Sequence, residues 1–314
     1  MNTIYLGKEN NAVAPCVATI GFFDGVHRGH KYLIQQVNSI AKACGLASTV
    51  ITFDRHPRQV LQSDYVPQLL NPIDRKLLLL SKTGIDNAVV LPFDALVAQL
   101  SAYDFMKEVL RNRLNVKKLV IGYDNRFGHN RTETFEDYVR YGHELGIEVI
   151  HHTAFELHGV NISSSVIRGF LQEGEVEMAT LCLGYPYTLI GKVVHGFAQG
   201  RLMGFPTANM DVAESGQLIP ATGVYAVNVK LKNQLHLLHG MMNIGRRPTF
   251  NGTALSLEVN IFNFRGDLYG DLIEVGFIRH IRKECKFNSA AELAEQLQQD
   301  RTMIEEQFNK DRDL

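Results

Sequence analysis

Cys16-Val17-Ala18-Thr19-Ile20 runs directly into Gly21-Phe22-Phe23-Asp24-Gly25-Val26-His27-Arg28-Gly29-His30: an apolar strand, a glycine turn, then a helix opened by two histidines three residues apart. At that spacing both imidazoles share one helix face, beside first-turn N–H groups that suit an anion. The helix is carried by Leu33, Ile34, Val37 and Ile40 and stops at Gly45. The alternation then repeats. Ser48–Phe53, Ala88–Pro92, Lys118–Tyr123 and Glu148–Thr153 are strand-like, and amphipathic stretches separate them, one opening on Ser101 as cap with Asp104 three residues on. Strands alternating with helices predict a parallel sheet with crossover helices. Its ligand crevice belongs at the carboxyl ends of the strands, where His27 and His30 fall.

After Leu183-Gly184-Tyr185-Pro186 the pattern changes. Tyr187–Val194, Gly223–Leu231, Leu235–Asn243, Leu255–Phe264 and Leu272–Ile281 are rich in β-branched and aromatic residues and bounded by Gly, Asn and Asp, which predicts a small antiparallel barrel. Ser289 and Glu292 form a capping box for a closing helix that puts Leu293, Leu297, Ile304 and Phe308 on one side. With 314 residues, more than one core usually organises, and no repeat or low-complexity linker, two abutting domains are expected at 1–184 and 185–314. The net charge of −1 removes any broad attraction to nucleic acid or anionic lipid, so positive charge that matters must be local. The amino terminus has no signal pattern and no apolar run reaches the ~18 residues of a membrane helix, which predicts a cytoplasmic protein without membrane partners. Cys16, Cys44, Cys182 and Cys285 form no CxxC pair and read as reduced, structural thiols.

Two chemistries are expected. The strand–glycine turn–HxGH arrangement suits nucleotidyl transfer, in which the attacking phosphate is already ionised and the protein must supply charge stabilisation rather than a base. Asn161-Ile162-Ser163-Ser164-Ser165-Val166-Ile167-Arg168 offers hydroxyls and an arginine at a helix start, suited to triphosphate oxygens, although a serine-rich cap with a solvated arginine has the same composition. Gly200-Arg201-Leu202-Met203-Gly204-Phe205-Pro206-Thr207-Ala208-Asn209 pairs glycines that let backbone close on a phosphate with a hydroxyl and an amide oxygen of the hard type Mg²⁺ accepts. There is no GxxxxGK[ST], which excludes a P-loop kinase. Glu258, between Leu257 and Val259, is either an outward strand carboxylate or a general base. His151, His152 and His158 alternate on a strand and do not converge as a metal cluster would.

Gly21–His30, Thr52-Phe53-Asp54-Arg55-His56-Pro57, Gly122-Tyr123-Asp124-Asn125-Arg126-Phe127-Gly128 and Ile162–Arg168 resemble the successive motifs of the adenylyltransferase half of the bacterial bifunctional riboflavin kinase/FMN adenylyltransferases (FAD synthetases); Gly200–Asn209 resembles their kinase half. The resemblance covers essentially the whole chain, in the family's order. It implies an α/β, Rossmann-like nucleotidyltransferase domain followed by an antiparallel β-barrel kinase domain with a C-terminal helix. It implies ATP, riboflavin, FMN and FAD as substrates or products, and Mg²⁺ as cofactor. Carried over residue by residue, His27 and His30 hold ATP phosphates together with Gly21, Phe23 and Gly25. Ser164, Ser165 and Arg168 grip the triphosphate, Phe53 borders the flavin or adenine and Pro57 the flavin, and Asn125 lies near the transferred phosphate and FMN; His27, His30, Asn125 and Arg168 are the catalytic residues of this half. In the kinase half, Gly196, Gly200 and Arg201 face ATP, Thr207 and Asn209 hold the metal, and Glu258 is the catalytic carboxylate. Two departures stand out: Ser165 where the family usually has threonine, keeping the hydroxyl, and Asn260 where it often has histidine, which receives no chemistry here. Arg279 and Arg282 are solvated or flavin-loop residues. HxGH alone also fits transfer to a pantetheine phosphate or a nicotinate nucleotide, against which the barrel argues. A flavin-binding regulator with degenerate sites is opposed by the intact His30, Arg168, Thr207, Asn209 and Glu258. A monomer or weak homo-oligomer acting on small molecules, without nucleic acid, is expected.

Overall fold

The computed structural model describes the chain except residues 8–12, 63, 123–124, 130, 154, 158, 197–199, 201–203, 233, 235, 250–251 and 311–314. Arg201 and His158 therefore lie outside the described residues. Two compact units result, Met1–Ser164 and Ser165–Leu314.

The first unit is built on strands β1 (Asn2–Tyr5), β2 (Cys16–Ile20), β3 (Ala47–Phe53), β4 (Asn87–Leu91), β5 (Val116–Ile121) and β6 (Glu148–His151), all parallel, in the order β1-β4-β3-β2-β5-β6. Helices cover both faces, so β2 and β4 are buried at every residue and read as continuous apolar runs rather than alternating ones. The helices are α1 (Arg28–Cys44), α2 (Pro57–Leu61), α3 (Ile73–Ser81), α4 (Ala95–Gln99), α5 (Ala102–Asp104) and α6 (Phe135–Leu145). α1 buries Leu33, Ile34 and Val37 and ends on Gly45 at φ +65°. The expected cap at Ser101 is present, its hydroxyl accepting the Asp104 N–H at 3.1 Å. Beyond it the backbone loosens into a π-helix, Phe105–Arg113, that buries Phe105, Met106, Val109 and Leu110. A two-stranded hairpin, β7 (Glu156–Leu157) with β8 (Val160–Asn161), precedes α7 (Ser164–Glu173).

In the second unit α7 and α8 (Val176–Leu183) lead into a closed antiparallel barrel of β9 (Thr188–Val194), β10 (Ala208–Asp211), β11 (Gly223–Leu231), β12 (Leu238–Thr249), β13 (Gly252–Ile261) and β14 (Leu272–Arg282), ordered β10-β13-β12-β11-β14-β9. Closure through the β9–β10 pairing leaves no free edge. Helix α9 (Ala290–Lys310) sets Ile304 and Phe308 against Ala226, Met241 and Phe262. Ahead of the barrel, α7 and α8 belong with it: Leu171 O accepts the Ala221 N–H at 2.9 Å and Glu177 pairs with Arg279 at 3.2 Å.

One close approach sets the exit from α6. A Cβ on Gly142 would lie 2.4 Å from Ile147 O and 2.6 Å from Val149 Cγ2. Gly142→Ala, which would favour an isolated helix, should instead cost about 1–3 kcal/mol through overpacking. Denaturant unfolding checks this; an unchanged midpoint contradicts it.

Candidate active sites

The strand order places a topological switch at β2: the chain moves outward through β3 and β4, then returns to the other side of β2 as β5. Such switch points open a crevice at the carboxyl ends of the strands. The turn leaving β2 is strained. Phe23 and Val26 hold φ of +53° and +36°, beside Gly25 at +80°. Asp24, 3% exposed, keeps it in place: its carboxylate accepts the N–H of Leu70 at 3.0 Å and of Asn71 at 3.2 Å. Ser164 donates its hydroxyl to Asp24 O at 2.9 Å.

His27 stands one residue before α1, as its N-cap, rather than within its first turn. Nδ1 accepts the His30 N–H at 3.3 Å, and the two rings stack with centroids 3.6 Å apart. With Nδ1 accepting, a neutral His27 ring carries its hydrogen on Nε2. Gly29 is what makes room, since a Cβ there would lie 3.2 Å from the His27 ring. His30 also packs edge-on against Phe23, and its Nδ1 has no hydrogen-bond partner among the described residues. Burial, and secondarily His27 and Lys76, holds the His30 imidazole well below the ordinary histidine range. It is a neutral hydrogen-bonding group at physiological pH, not a cation.

Beside the turn lies a cavity of about 360 Å³ lined by Gly21, Phe22, Phe53, Pro57, Phe93 and Asn125, among others. All three residues expected at the flavin thus meet in one apolar pocket, of the size class that holds small ligands. Phe53 packs edge-on to Phe93 at 5.2 Å, and the Asn125 amide donates to Ile20 O, the last carbonyl of β2. Ser165 and Arg168, on α7, belong to the second unit. His151 stacks on Phe135 and His152 lies against Tyr32.

Two residues of this region, Asp24 and Lys76, have roles that no local pattern assigns. Lys76 is 2% exposed and donates to Phe22 O, Thr52 Oγ1 and Phe53 O at 3.0, 3.1 and 3.2 Å. Its signal was a lysine on the apolar stripe of α3, between Ile73 and Leu80.

In the barrel, Asn209 on β10 lies directly opposite Glu258 on β13. Thr207, just before β10, donates to Glu258 at 3.3 Å. Two cavities meet at Thr207. The larger, about 650 Å³, is lined by Gly196, Asn209, Arg265 and Tyr269; the smaller, about 270 Å³, by Gly200, Glu258, Arg282 and Phe287. Glu258 therefore faces a cavity and is not an outward strand carboxylate. A Cβ on Gly196 would lie 2.0 Å from Asn209 Nδ2, so a side chain there would displace the Asn209 amide, and one on Gly200 would lie 2.3 Å from Phe205 O, where backbone leaves room only for glycine. Asn260 donates to Pro206 O at 2.7 Å and so supports the turn that carries Thr207. Arg282 makes a two-pronged pair with the buried Asp300, at 3.0 and 2.8 Å, while Arg279 reaches Glu177 at the surface.

Residues 9–166 match the FAD synthetase family and residues 183–308 the riboflavin kinase family. A bifunctional riboflavin kinase/FMN adenylyltransferase of Haemophilus influenzae is 36% identical over 304 residues, covering 97% of this chain and 98% of its own. Its counterpart in Escherichia coli K12 is 37% identical over 305 residues, covering 96% of each. The chain belongs to the bifunctional riboflavin kinase/FMN adenylyltransferase family. It is an enzyme of flavin cofactor synthesis, carrying the FAD synthetase region before the riboflavin kinase region. Among solved structures, a crystal structure described as a macrolide-efflux protein from Streptococcus pneumoniae is 32% identical and superimposes with a TM-score of 0.87 over 97% of this chain and 99% of its own. That description concerns the pneumococcal protein; the likeness carries the fold. No helix among the described residues is long and apolar enough to cross a membrane.

Within this family the Gly196–Asn209 contact makes a sharp test. Gly196→Ala must push the Asn209 amide aside, and misplacement of that order costs about 10²-fold in rate. Riboflavin phosphorylation should fall accordingly while FAD formation from supplied FMN is unchanged, as measured by separating the flavins. Parental phosphorylation would contradict the packing.

Proposed function

We propose that residues 185–314 phosphorylate riboflavin with ATP to give FMN, and that residues 1–184 transfer the adenylyl group of a second ATP to FMN, giving FAD and pyrophosphate. The observation that carries the reading is Thr207, seated where two cavities meet, hydrogen-bonded to Glu258 and two residues from Asn209. This is the arrangement phosphoryl transfer needs, a nucleotide on one side and its acceptor on the other.

Riboflavin's terminal ribityl hydroxyl is a poor nucleophile. Glu258 takes its proton as the oxygen attacks the γ-phosphorus of ATP, and ADP leaves. Thr207 Oγ1 and the Asn209 amide oxygen are hard donors at the cavity junction and fit Mg²⁺, which accepts few protein ligands. Bound there, Mg²⁺ would neutralise charge on the phosphate oxygens. Gly196, Gly200 and Arg201 are assigned to the nucleotide.

The second reaction has no need of a base, because the FMN phosphate is already an anion. Its oxygen attacks the α-phosphorus of ATP, and the bond to pyrophosphate breaks. His27 and His30 donate hydrogen bonds to the phosphates where charge develops, beside the backbone of Gly21, Phe23 and Gly25. Phe53, Pro57 and Asn125 hold the flavin; Ser164, Ser165 and Arg168 are assigned to the triphosphate on family resemblance alone. The protein works in the cytoplasm on small molecules, as a monomer or weak homo-oligomer, without nucleic acid.

Glu258→Gln tests the kinase assignment, since it preserves shape and removes the basic oxygen. Riboflavin phosphorylation should drop by about 10²–10⁴-fold, the usual contribution of a general base. Supplied FMN should still be adenylylated at the parental rate. Phosphorylation at the parental rate would overturn the role of Glu258.

A further inference from the structure

The Nζ of Lys76 meets three acceptors, Phe22 O, Thr52 Oγ1 and Phe53 O. The Thr52 hydroxyl spends its own hydrogen on Phe22 O, at 3.0 Å, and so can only accept from the lysine. Three acceptors around one nitrogen require three N–H donors, which only the ammonium form has. The charge sits beneath the ring of Phe22, 4.1 Å from its centroid. No carboxylate forms an ion pair with it among the described residues. A buried charge with no carboxylate in contact is costly, so its retention calls for a role.

The acceptors show where that role lies. Phe22 and Phe53 end the excursions of the chain from β2 and β3, and both side chains wall the 360 Å³ cavity. Lys76 reaches them from α3. We propose that Lys76 is a positioning residue for adenylyl transfer, its ammonium clamping the ends of β2 and β3 and so fixing the two phenylalanines that form the flavin pocket. The inference rests on reading the first unit as the adenylyl-transfer site.

Protonation makes the clamp titratable. Burial is the largest influence on Lys76 and pushes its ammonium down to about 8; the more distant charges of Asp24 and Asp54 oppose this. The other groups facing it are Asp24 after β2, Asp54 after β3 and His30 on α1, with Asp74 and Arg75 on its own helix. His30 is held well below the ordinary histidine range and so does not share the transition of Lys76 near pH 8. The folded chain releases this proton near 8, whereas the unfolded chain keeps it to an ordinary value of about 10.5. Between those values the unfolded state binds more protons, so the group's contribution to folding stability rises with pH. FAD synthesis moves the opposite way, because the neutral amine cannot satisfy three acceptors.

The test uses the full chain, assaying FAD synthesis from FMN and riboflavin phosphorylation in the same preparation across pH 7–10. The parent should show an alkaline limb near pH 8 in FAD synthesis that riboflavin phosphorylation lacks. In Lys76→Met the limb should vanish, and kcat/KM should fall about tenfold or more, mainly through KM for FMN, as for a mispositioned wall. Riboflavin phosphorylation should be unchanged. A variant with parental KM, kcat and alkaline limb overturns the proposal. If Lys76→Met does not fold, the parental profiles decide: a limb confined to FAD synthesis supports the clamp, and its absence refutes it. A parent that makes no FAD at any pH removes instead the reading on which the clamp rests.

Discussion

A parallel sheet must let its strands end without stranding backbone groups in the interior, and the first unit meets this demand with a few buried polar side chains. Asp24 takes the N–H groups of Leu70 and Asn71. Lys76 and Thr52 satisfy Phe22 O, Lys76 also takes Phe53 O, and Asn125 takes Ile20 O. The site depends on this lattice. With it in place, the turn of Phe23, Gly25 and Val26 can hold its positive φ values, His27 can cap α1, and the carboxyl edge can present an apolar pocket beside a row of neutral donors. In a chain of net charge −1, positive charge toward an anion has to be local, and Arg126 and Arg131 stand in the lining of this same cavity.

The barrel solves a different problem. Closing six antiparallel strands inserts the short β10 between β9 and β13, which sets Asn209 across from Glu258 and leaves Thr207 at the junction of two cavities. Glycine is required at 200, where backbone meets backbone, and at 196 it leaves the Asn209 amide in place. The two halves differ as their chemistries do. On the proposed reading a hydroxyl nucleophile draws on the carboxylate in the barrel, and a phosphate nucleophile needs only hydrogen-bond donors at the sheet edge.

Local pattern told where the elements lie and much less about how side chains are used. β2 and β11 have the bounds read from the sequence, because their apolar runs are flanked by glycine or proline punctuation. β1 and β10 carry no strand signal of their own, each being only four residues long, too short for its periodicity to stand out. The histidine spacing marked the first site, yet the capping bond of His27 to His30 depends on the strained turn before it. Arg282, solvated or flavin-loop by its sequence alone, lines the smaller cavity and pairs with Asp300 on helix α9. Lys76 and Asp24 were overlooked because their partners are 23 to 54 residues away in sequence. A lysine on an apolar stripe is a legible signal once it is treated as a buried group in need of acceptors.

The most direct test of two chemistries on one chain is a time course of the purified protein with riboflavin, ATP and Mg²⁺, resolving flavins and phosphate products together. The account predicts that FMN rises first and is then converted to FAD, with one ADP formed for each riboflavin phosphorylated and one pyrophosphate for each FAD. Riboflavin left unchanged, or FMN accumulating with no FAD and no pyrophosphate, would contradict it.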